Sequence, residues 1–254
     1  MQLTRKRVSF GLGTLVVLVV GVIVVYFAFI KSDAPPPLTL NSVASTTTAA
    51  GSGAVPSGTA PGSATTTTAT KVTNASQTDL GGTWTITNAS QVGYRVTEDL
   101  IGGLANNVAV GRTNAVTGTV TITGTRATAV EATADLKKLT SDSSRRDGQV
   151  QTRILSTSQF PTATFTLASP IDFGSIPAVA VERKSSATGE LKIRGVTKRV
   201  TFDVTYQLVS ATEIRMLGTV AMVWADYQIP SPTFAGVADV RDNGQMEFLI
   251  VATR

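Results

Sequence analysis

From residue 81 onward, apolar and polar residues alternate at every second position, and this alternation is what most constrains the fold. Successive side chains of a β-strand point to opposite faces, so a period of two is typical of strands with one buried face. In one run, Val200, Phe202, Val204 and Tyr206 are separated by polar residues. Many such runs are punctuated by Gly, Pro, Asn and Asp, which predicts an antiparallel all-β sandwich or barrel.

Two of the runs are apolar on both faces. The second apolar row consists of Leu217, Ala221 and Val223 in one run and of Leu249 and Val251 in the last run. These strands are therefore expected to have a cover on their outer side. The polar segment 141–158 lacks Pro, and Gly148 is its one Gly. We predict that this segment is the covering helix, and that Asp142 caps its start.

Residues 8–30 carry no charge and are rich in Val, Leu, Ile and Phe. At about 1.5 Å per helical residue, this stretch is long enough to cross a hydrocarbon core of about 30 Å. The alternative is a cleaved secretory signal, whose apolar core is usually about 7–15 residues long and is followed by small residues. Here the run is longer, and the next plausible cleavage site, after Ala34, is followed by Pro35. The pattern favours a membrane anchor.

Basic residues set the expected orientation of this anchor. Arg5, Lys6 and Arg7 precede the apolar run, and Lys31 follows it. Cytoplasmic flanks carry the excess of Lys and Arg, so residues 1–7 are predicted to be cytoplasmic and everything after Lys31 extracytoplasmic. Residues 31–80 are rich in Thr, Ala, Pro and Ser and nearly free of charge, which predicts a disordered linker. Residues 81–254 form the predicted folded domain, attached to the cell membrane by a single span.

The composition excludes several kinds of chemistry. The chain has no Cys and no His, which removes disulfides, thiolate nucleophiles, the commonest general base and the usual zinc ligands. No calcium-loop spacing and no phosphate-binding glycine loop is present, so we expect no metal and no cofactor. Residues 81–254 carry 17 basic and 15 acidic side chains, without the basic footprint of a nucleic-acid binder. A carboxylate pair of the glycosidase kind stays open as an alternative, but no spacing singles one out, and we expect no enzyme.

Four segments, in this order, carry a resemblance to a known family. They are residues 90–96 (SQVGYRV) with 109–113 (AVGRT) and 116–120 (VTGTV), residues 139–147 (LTSDSSRRD), residues 160–165 (FPTATF), and residues 189–202 (GELKIRGVTKRVTF). From Trp84 to Arg254 the chain resembles the YceI-like family of polyisoprenoid-binding, lipocalin-like domains, in its actinobacterial, membrane-anchored form. The resemblance implies an extended antiparallel eight-stranded β-barrel with a short helical segment after the Arg-Arg-Asp stretch.

The resemblance also implies an apolar tunnel that holds an isoprenoid or another long-chain lipid. Residues with inward apolar parity near the matched motifs are the predicted ligand-binding set: Val92, Tyr94, Val96, Phe160, Phe165, Phe202, Tyr206, Trp224 and Phe248. A barrel of about eight strands either packs its interior or holds one apolar ligand, and periodicity does not choose between these. The alternative to a lipid-binding protein is thus a structural or interaction domain with a packed barrel, displayed on the cell envelope.

One departure from the family concerns the polar end of the site. Better-known members carry a His in the first conserved segment, where this chain reads VTEDL at residues 96–100. A head-group contact made by that His is therefore not expected here. Arg145, Arg146 and Asp147 are predicted to form a structural cluster of ion pairs and hydrogen bonds, with a head-group site as the alternative.

Overall fold

The computed structural model describes residues 34–43, 80–100, 105–230, 238–241 and 243–254. The strands in these ranges are β1 (Gly82–Ile86), β2 (Gln91–Leu100), β3 (Ala105–Thr113), β4 (Val116–Thr123), β5 (Arg126–Asp135), β6 (Thr140–Ser141), β7 (Thr162–Ser169), β8 (Ile171–Asp172), β9 (Glu182–Ile193), β10 (Val196–Ser210), β11 (Glu213–Val223), β12 (Ala238–Val240) and β13 (Asn243–Thr253). The helical elements are α1 (Ser144–Gln149), the π-helical turn Val150–Ile154 that continues it, and two 3-10 turns, Leu136–Lys138 and Trp224–Tyr227.

The strands close into a barrel with antiparallel pairing throughout. The ring runs β1, β4, β5, β7, β9, β10, β11, β13 and closes where β13 pairs with β1. Strand β2 continues the position of β1, because it pairs with an earlier part of β13, and β3 continues the position of β4 by pairing with β2. The predicted all-β fold, an antiparallel eight-stranded barrel with a short helix, is therefore confirmed.

The two ends of the barrel differ. At one end β2 and β11 finish and β13 begins, and Arg146 of α1 lies there with its Nε 3.7 Å from Oε1 of Glu98. We call this the α1 end. At the opposite end, beside the β10–β11 hairpin, the Nε1 of the fully buried Trp84 donates to the carbonyl oxygen of Leu80 at 2.9 Å. The Arg254 guanidinium lies 4.7 Å from the centre of the Trp84 ring, so packed side chains fill this opposite end.

The helix is shorter than predicted and does not cover β11 and β13. Within the segment 141–158, the α-helix and its π-helical turn occupy only Ser144 to Ile154. Ser143 caps the helix, since its Oγ accepts from the backbone N–H of Arg146 at 3.4 Å. The prediction of Asp142 as the cap was wrong, because its carboxylate pairs with the Arg146 guanidinium one turn later. The prediction that this helix covers β11 and β13 was also wrong, since α1 contacts β6 at the α1 end.

The cover is instead residues 34–43, which we call the strap. Leu38 and Leu40 are buried and form a cluster with Leu249 and Val251, against which Leu217 also packs. This stretch belongs to the segment predicted to be a disordered linker. Leu40 lies in the turn closed by the hydrogen bond from the Ser42 N–H to the Thr39 carbonyl oxygen at 3.0 Å, and both leucines meet the outer apolar row of the barrel. The second apolar face of β11 and β13 therefore does have a cover, supplied by the N-terminal part of the chain.

A buried ion-pair network lies beneath the strap. Glu247, whose side chain is 2% exposed, accepts from Arg95 at 3.3 Å and from Arg112 at 2.7 Å. The same two arginines donate to the carbonyl oxygens of Pro35 at 2.8 Å and Pro36 at 2.6 Å. Each guanidinium has several N–H donors in a fixed plane, so it serves the carboxylate and the strap backbone together. The network therefore links the strap to β2, β3 and β13.

Within the described ranges, no helix is long and apolar enough to cross a membrane. The predicted span 8–30 lies outside those ranges, as does most of the predicted linker, and both stay predictions.

Candidate functional site

An apolar cavity of about 220 Å³ lies inside the barrel. It extends from the α1 end toward the middle of the barrel, and residues of β2–β5, β7–β11 and β13 line it together with α1 and the π-helical turn. Glu98 and Arg146 are the charged residues among the described side chains that line it. Glu98, Arg146 and Gln149 are the polar wall residues at the α1 end, where Trp224 also lines the cavity.

Seven of the nine predicted ligand-binding residues line this cavity. They are Val92, Tyr94, Val96, Phe165, Phe202, Trp224 and Phe248. Three of the rings form one row, because the centre of the Phe202 ring lies 5.6 Å from that of Phe165 and 5.4 Å from that of Phe248, in edge-to-face geometry. The structure thus brings these seven side chains together around one void, and their contact with a ligand stays a prediction.

The other two predicted residues lie outside the cavity wall. Phe160 is half-buried and packs against Gly195, where a Cβ atom would lie 2.9 Å from its ring. Tyr206 points inward as predicted, but it lies beyond the cavity, toward the filled end. Its ring centre is 4.6 Å from that of Phe173, and its hydroxyl donates to the Phe173 carbonyl oxygen at 3.3 Å. Inward parity therefore identifies the barrel interior and does not separate the void from the packed core.

Small side chains create the void, and sequence reasoning missed them as site residues. The alanines that line it are Ala109, Ala132, Ala134, Ala163 and Ala187. They occupy inward positions where larger residues would fill the barrel. Further wall residues come from the helical segment: Gln149, Val150, Ile154 and Leu155. The alternation of β5 places Ala132 and Ala134 on the inner face, and two alanines there were the available signal that the interior is not filled.

Tyr94 is the polar side chain of the wall with the most unusual surroundings. Its ring lies over Gly111 of β3, where a Cβ atom would be 2.4 Å from the ring, so a larger residue at that position would displace the ring. Its hydroxyl is buried and has no hydrogen-bond partner among the described residues. Burial raises the pKa of Tyr94 well above its usual range, although the nearby Arg146 guanidinium acts in the opposite direction. The phenol is therefore a neutral, unused donor at the cavity.

Replacing Tyr94 with Phe is expected to raise the free energy of unfolding of the lipid-free protein by about 1 kcal/mol. An unsatisfied buried hydroxyl costs about 1–3 kcal/mol, and this substitution removes it without changing the ring. Urea unfolding of residues 34–254, followed by tryptophan fluorescence, measures the difference. Tyr206→Phe is the matched control, since it deletes a hydroxyl that does donate and is expected to lower stability by about 1 kcal/mol. Equal losses for both variants would contradict the assignment of Tyr94 as unpaired.

The predicted Arg-Arg-Asp cluster divides into three roles. Asp147 accepts from the backbone N–H of Ser141 at 2.8 Å and from its hydroxyl at 2.6 Å, which fixes α1 to β6. Arg146 pairs with Asp142 and Glu98 and also lines the cavity. Arg145 is exposed. Structural contacts thus hold Asp147 and Arg146, and Arg146 in addition stands at the cavity's polar end.

A metal site finds no support in the described part of the chain, where no three Asp or Glu residues lie close enough together to hold an ion.

Comparison with known proteins identifies the domain. The family model described as the YceI-like domain matches residues 84–252. A polyisoprenoid-binding domain from Saccharophagus degradans, implicated in plant cell wall breakdown, is 17% identical with a TM-score of 0.53, over 67% of this chain and 97% of that one. BcnA of Burkholderia cenocepacia is 21% identical with a TM-score of 0.52, over 66% and 99% of the two chains. At these identities the two structures show a shared fold. No curated protein matches.

Proposed function

The chain belongs to the YceI-like domain family, and from that premise we propose that its barrel binds a polyisoprenoid or a similar long-chain apolar lipid in its interior. The observation that carries the proposal is the apolar cavity of about 220 Å³, and the charged wall residues Glu98 and Arg146 support the α1 end as its entrance. The Saccharophagus degradans domain of the same fold is described as polyisoprenoid-binding, which is consistent with this ligand class.

Burial of the chain is the proposed source of affinity. Apolar surface contributes about 25 cal/mol per Å² when it leaves water, so a prenyl chain can bind with few polar contacts. Cavities for drug-sized ligands span about 300–1,000 Å³, and this one is smaller. A long chain would therefore occupy it in part, or widen it where the π-helical turn Val150–Ile154 forms the wall. π-Helical turns are often found at functional sites, which supports this segment as the adaptable side.

We further propose that the protein is a binding protein and not an enzyme, held at the cell membrane by residues 8–30 with the barrel on the extracytoplasmic side. The uncharged run and the basic residues before it support this arrangement. Storage or transport of the lipid, or a part in an envelope stress response, are the roles that fit a tethered barrel. The alternative, a packed barrel that serves display or interaction, is less favoured because the interior holds an apolar void.

Lipid uptake tests the proposal directly. We expect residues 34–254, stripped of lipid by reversed-phase extraction and refolded, to take up a polyprenol, and native mass spectrometry to show one lipid per protein. Squalene serves as the isoprenoid without a head group, and stearic acid as the straight-chain comparison. The lipid recovered from the complex should be chemically unchanged, as a binding protein requires. A barrel that stays empty with all three probes would contradict the proposal and favour the display alternative.

A further inference from the structure

The strap has a direction along the barrel, and its hydrogen bonds define it. The Pro35 carbonyl oxygen accepts from Arg95, and the Ser42 carbonyl oxygen accepts from Gln91. Gln91 precedes Arg95 in β2, so the strap runs antiparallel to β2. The first residue of the strap, Ala34, therefore lies on the side of the α1 end.

The α1 end is also the proposed entrance of the cavity. Glu98 and Arg146 line the cavity there, and Trp224 lines it immediately after the end of β11. The opposite end is filled around Trp84. The N-terminal end of the strap and the entrance of the cavity thus face the same way.

Only three residues separate the strap from the apolar run that ends at Ile30: Lys31, Ser32 and Asp33. A fully extended chain covers at most about 3.3–3.6 Å per residue, so Ile30 and Ala34 can be no more than about 14 Å apart. A free coil of about fifty residues would instead have a typical reach of about 40 Å. Docking of the strap therefore replaces a long tether with a very short one.

We infer that the strap holds the barrel against the membrane with its α1 end, and hence the cavity entrance, facing the bilayer surface. This inference rests on the proposed anchor. It identifies the bilayer as the source of the lipid that enters the proposed site. An apolar chain could pass from the bilayer into the cavity over a short distance, with little exposure to water. The interaction surface is the described part of the α1 end, α1 and the turn Trp224–Tyr227, and its partner is the lipid surface in which the chain itself is anchored.

The contacts of the strap are suited to this role. Two buried leucines, Leu38 and Leu40, fix its position, and the backbone carbonyls of Pro35, Pro36 and Leu40 accept from arginines of three different strands. Such a surface resists pulling along the chain better than a single contact would. Pro35 and Pro36 have fixed φ angles, so the segment next to the membrane loses little conformational entropy on docking.

Depth-dependent fluorescence quenching tests the orientation on the full chain. The chain has no cysteine, so single substitutions provide unique labelling sites. Ala225→Cys lies in the turn at the α1 end, and Ala211→Cys lies in the β10–β11 hairpin at the opposite end, and both alanines are exposed. Each labelled protein is reconstituted in phosphatidylcholine–phosphatidylglycerol vesicles that carry a head-group quencher. We expect several-fold stronger quenching at position 225 than at position 211.

Two further variants separate the strap from the anchor. Insertion of a Gly-Ser segment of about twenty residues between Asp33 and Ala34 leaves the strap docked and lengthens the connection, and it should remove the difference between the two labels. Leu38→Asp with Leu40→Asp should remove it by releasing the strap. Equal quenching in the unmodified chain, or stronger quenching at position 211, would overturn the inference while the proposed lipid binding stands. Failure of the vesicles to carry the protein in flotation would overturn the anchor, and the inference with it.

Discussion

Replacing Glu247 with alanine is expected to lower the free energy of unfolding by about 3–5 kcal/mol, the usual cost of removing one partner from a buried ion pair. Glu247 is almost fully buried, and the side chains of its partners Arg95 and Arg112 are only 14% and 17% exposed. The substitution leaves two positive charges close together beneath the strap without their carboxylate. We expect both arginines to turn outward and to release the Pro35 and Pro36 carbonyl oxygens.

The measurement is urea unfolding of residues 34–254, combined with hydrogen exchange of the strap amides. Glu131→Ala is the matched control, because Glu131 lies exposed on β5 and surface substitutions usually change stability by less than about 0.5 kcal/mol. Glu247→Gln keeps the size of the side chain and one acceptor oxygen, so its effect should lie between the two. If Glu247→Ala unfolded at the same urea concentration as Glu131→Ala, the network would not be what joins the strap to the barrel.

The barrel could be predicted from the sequence because each strand can be recognised from its own residues. Each strand shows its inner and outer faces in its own alternation, as β10 does with Val204 and Tyr206 buried between more exposed neighbours. The second apolar row of β11 and β13 likewise predicted a cover. The identity of that cover has no local signal. Leu38 and Leu249 are more than two hundred positions apart, and two leucines within a low-complexity stretch do not show that they pack on a barrel.

The candidate site was likewise predicted in part from the sequence. The alternation along each strand predicted which aromatic residues point inward. Seven of the nine predicted residues do line the cavity. Whether an inward residue faces a void or a packed core depends on the volumes of its neighbours from other strands. Tyr206 meets Phe173, which comes from the loop after β8, whereas Phe202 faces a space left by alanines. The free volume beside an inward residue depends on side chains from several strands. The sequence of one strand therefore does not show whether that residue faces a void or a packed core.

Replacing Ala132 with tryptophan is expected to lower the affinity for an apolar lipid at least about tenfold, which corresponds to about 1.4 kcal/mol. Ala132 lines the cavity from β5 and pairs with Phe165 on β7, so an indole at this position would occupy the proposed path of the lipid. Stability should change little, because the new side chain fills an existing void instead of displacing packed neighbours.

Ala129→Trp is the matched control, since Ala129 is exposed on the same strand and its indole would stay outside the barrel. Uptake of polyprenol and squalene is measured for both variants by native mass spectrometry, and urea unfolding confirms that both are folded. Loss of uptake in Ala132→Trp alone would place the lipid inside the cavity. Undiminished uptake in a folded Ala132→Trp protein would instead mean that the lipid binds elsewhere on the barrel. The interior void would then be a packing defect, since a side chain that fills it would leave binding unchanged.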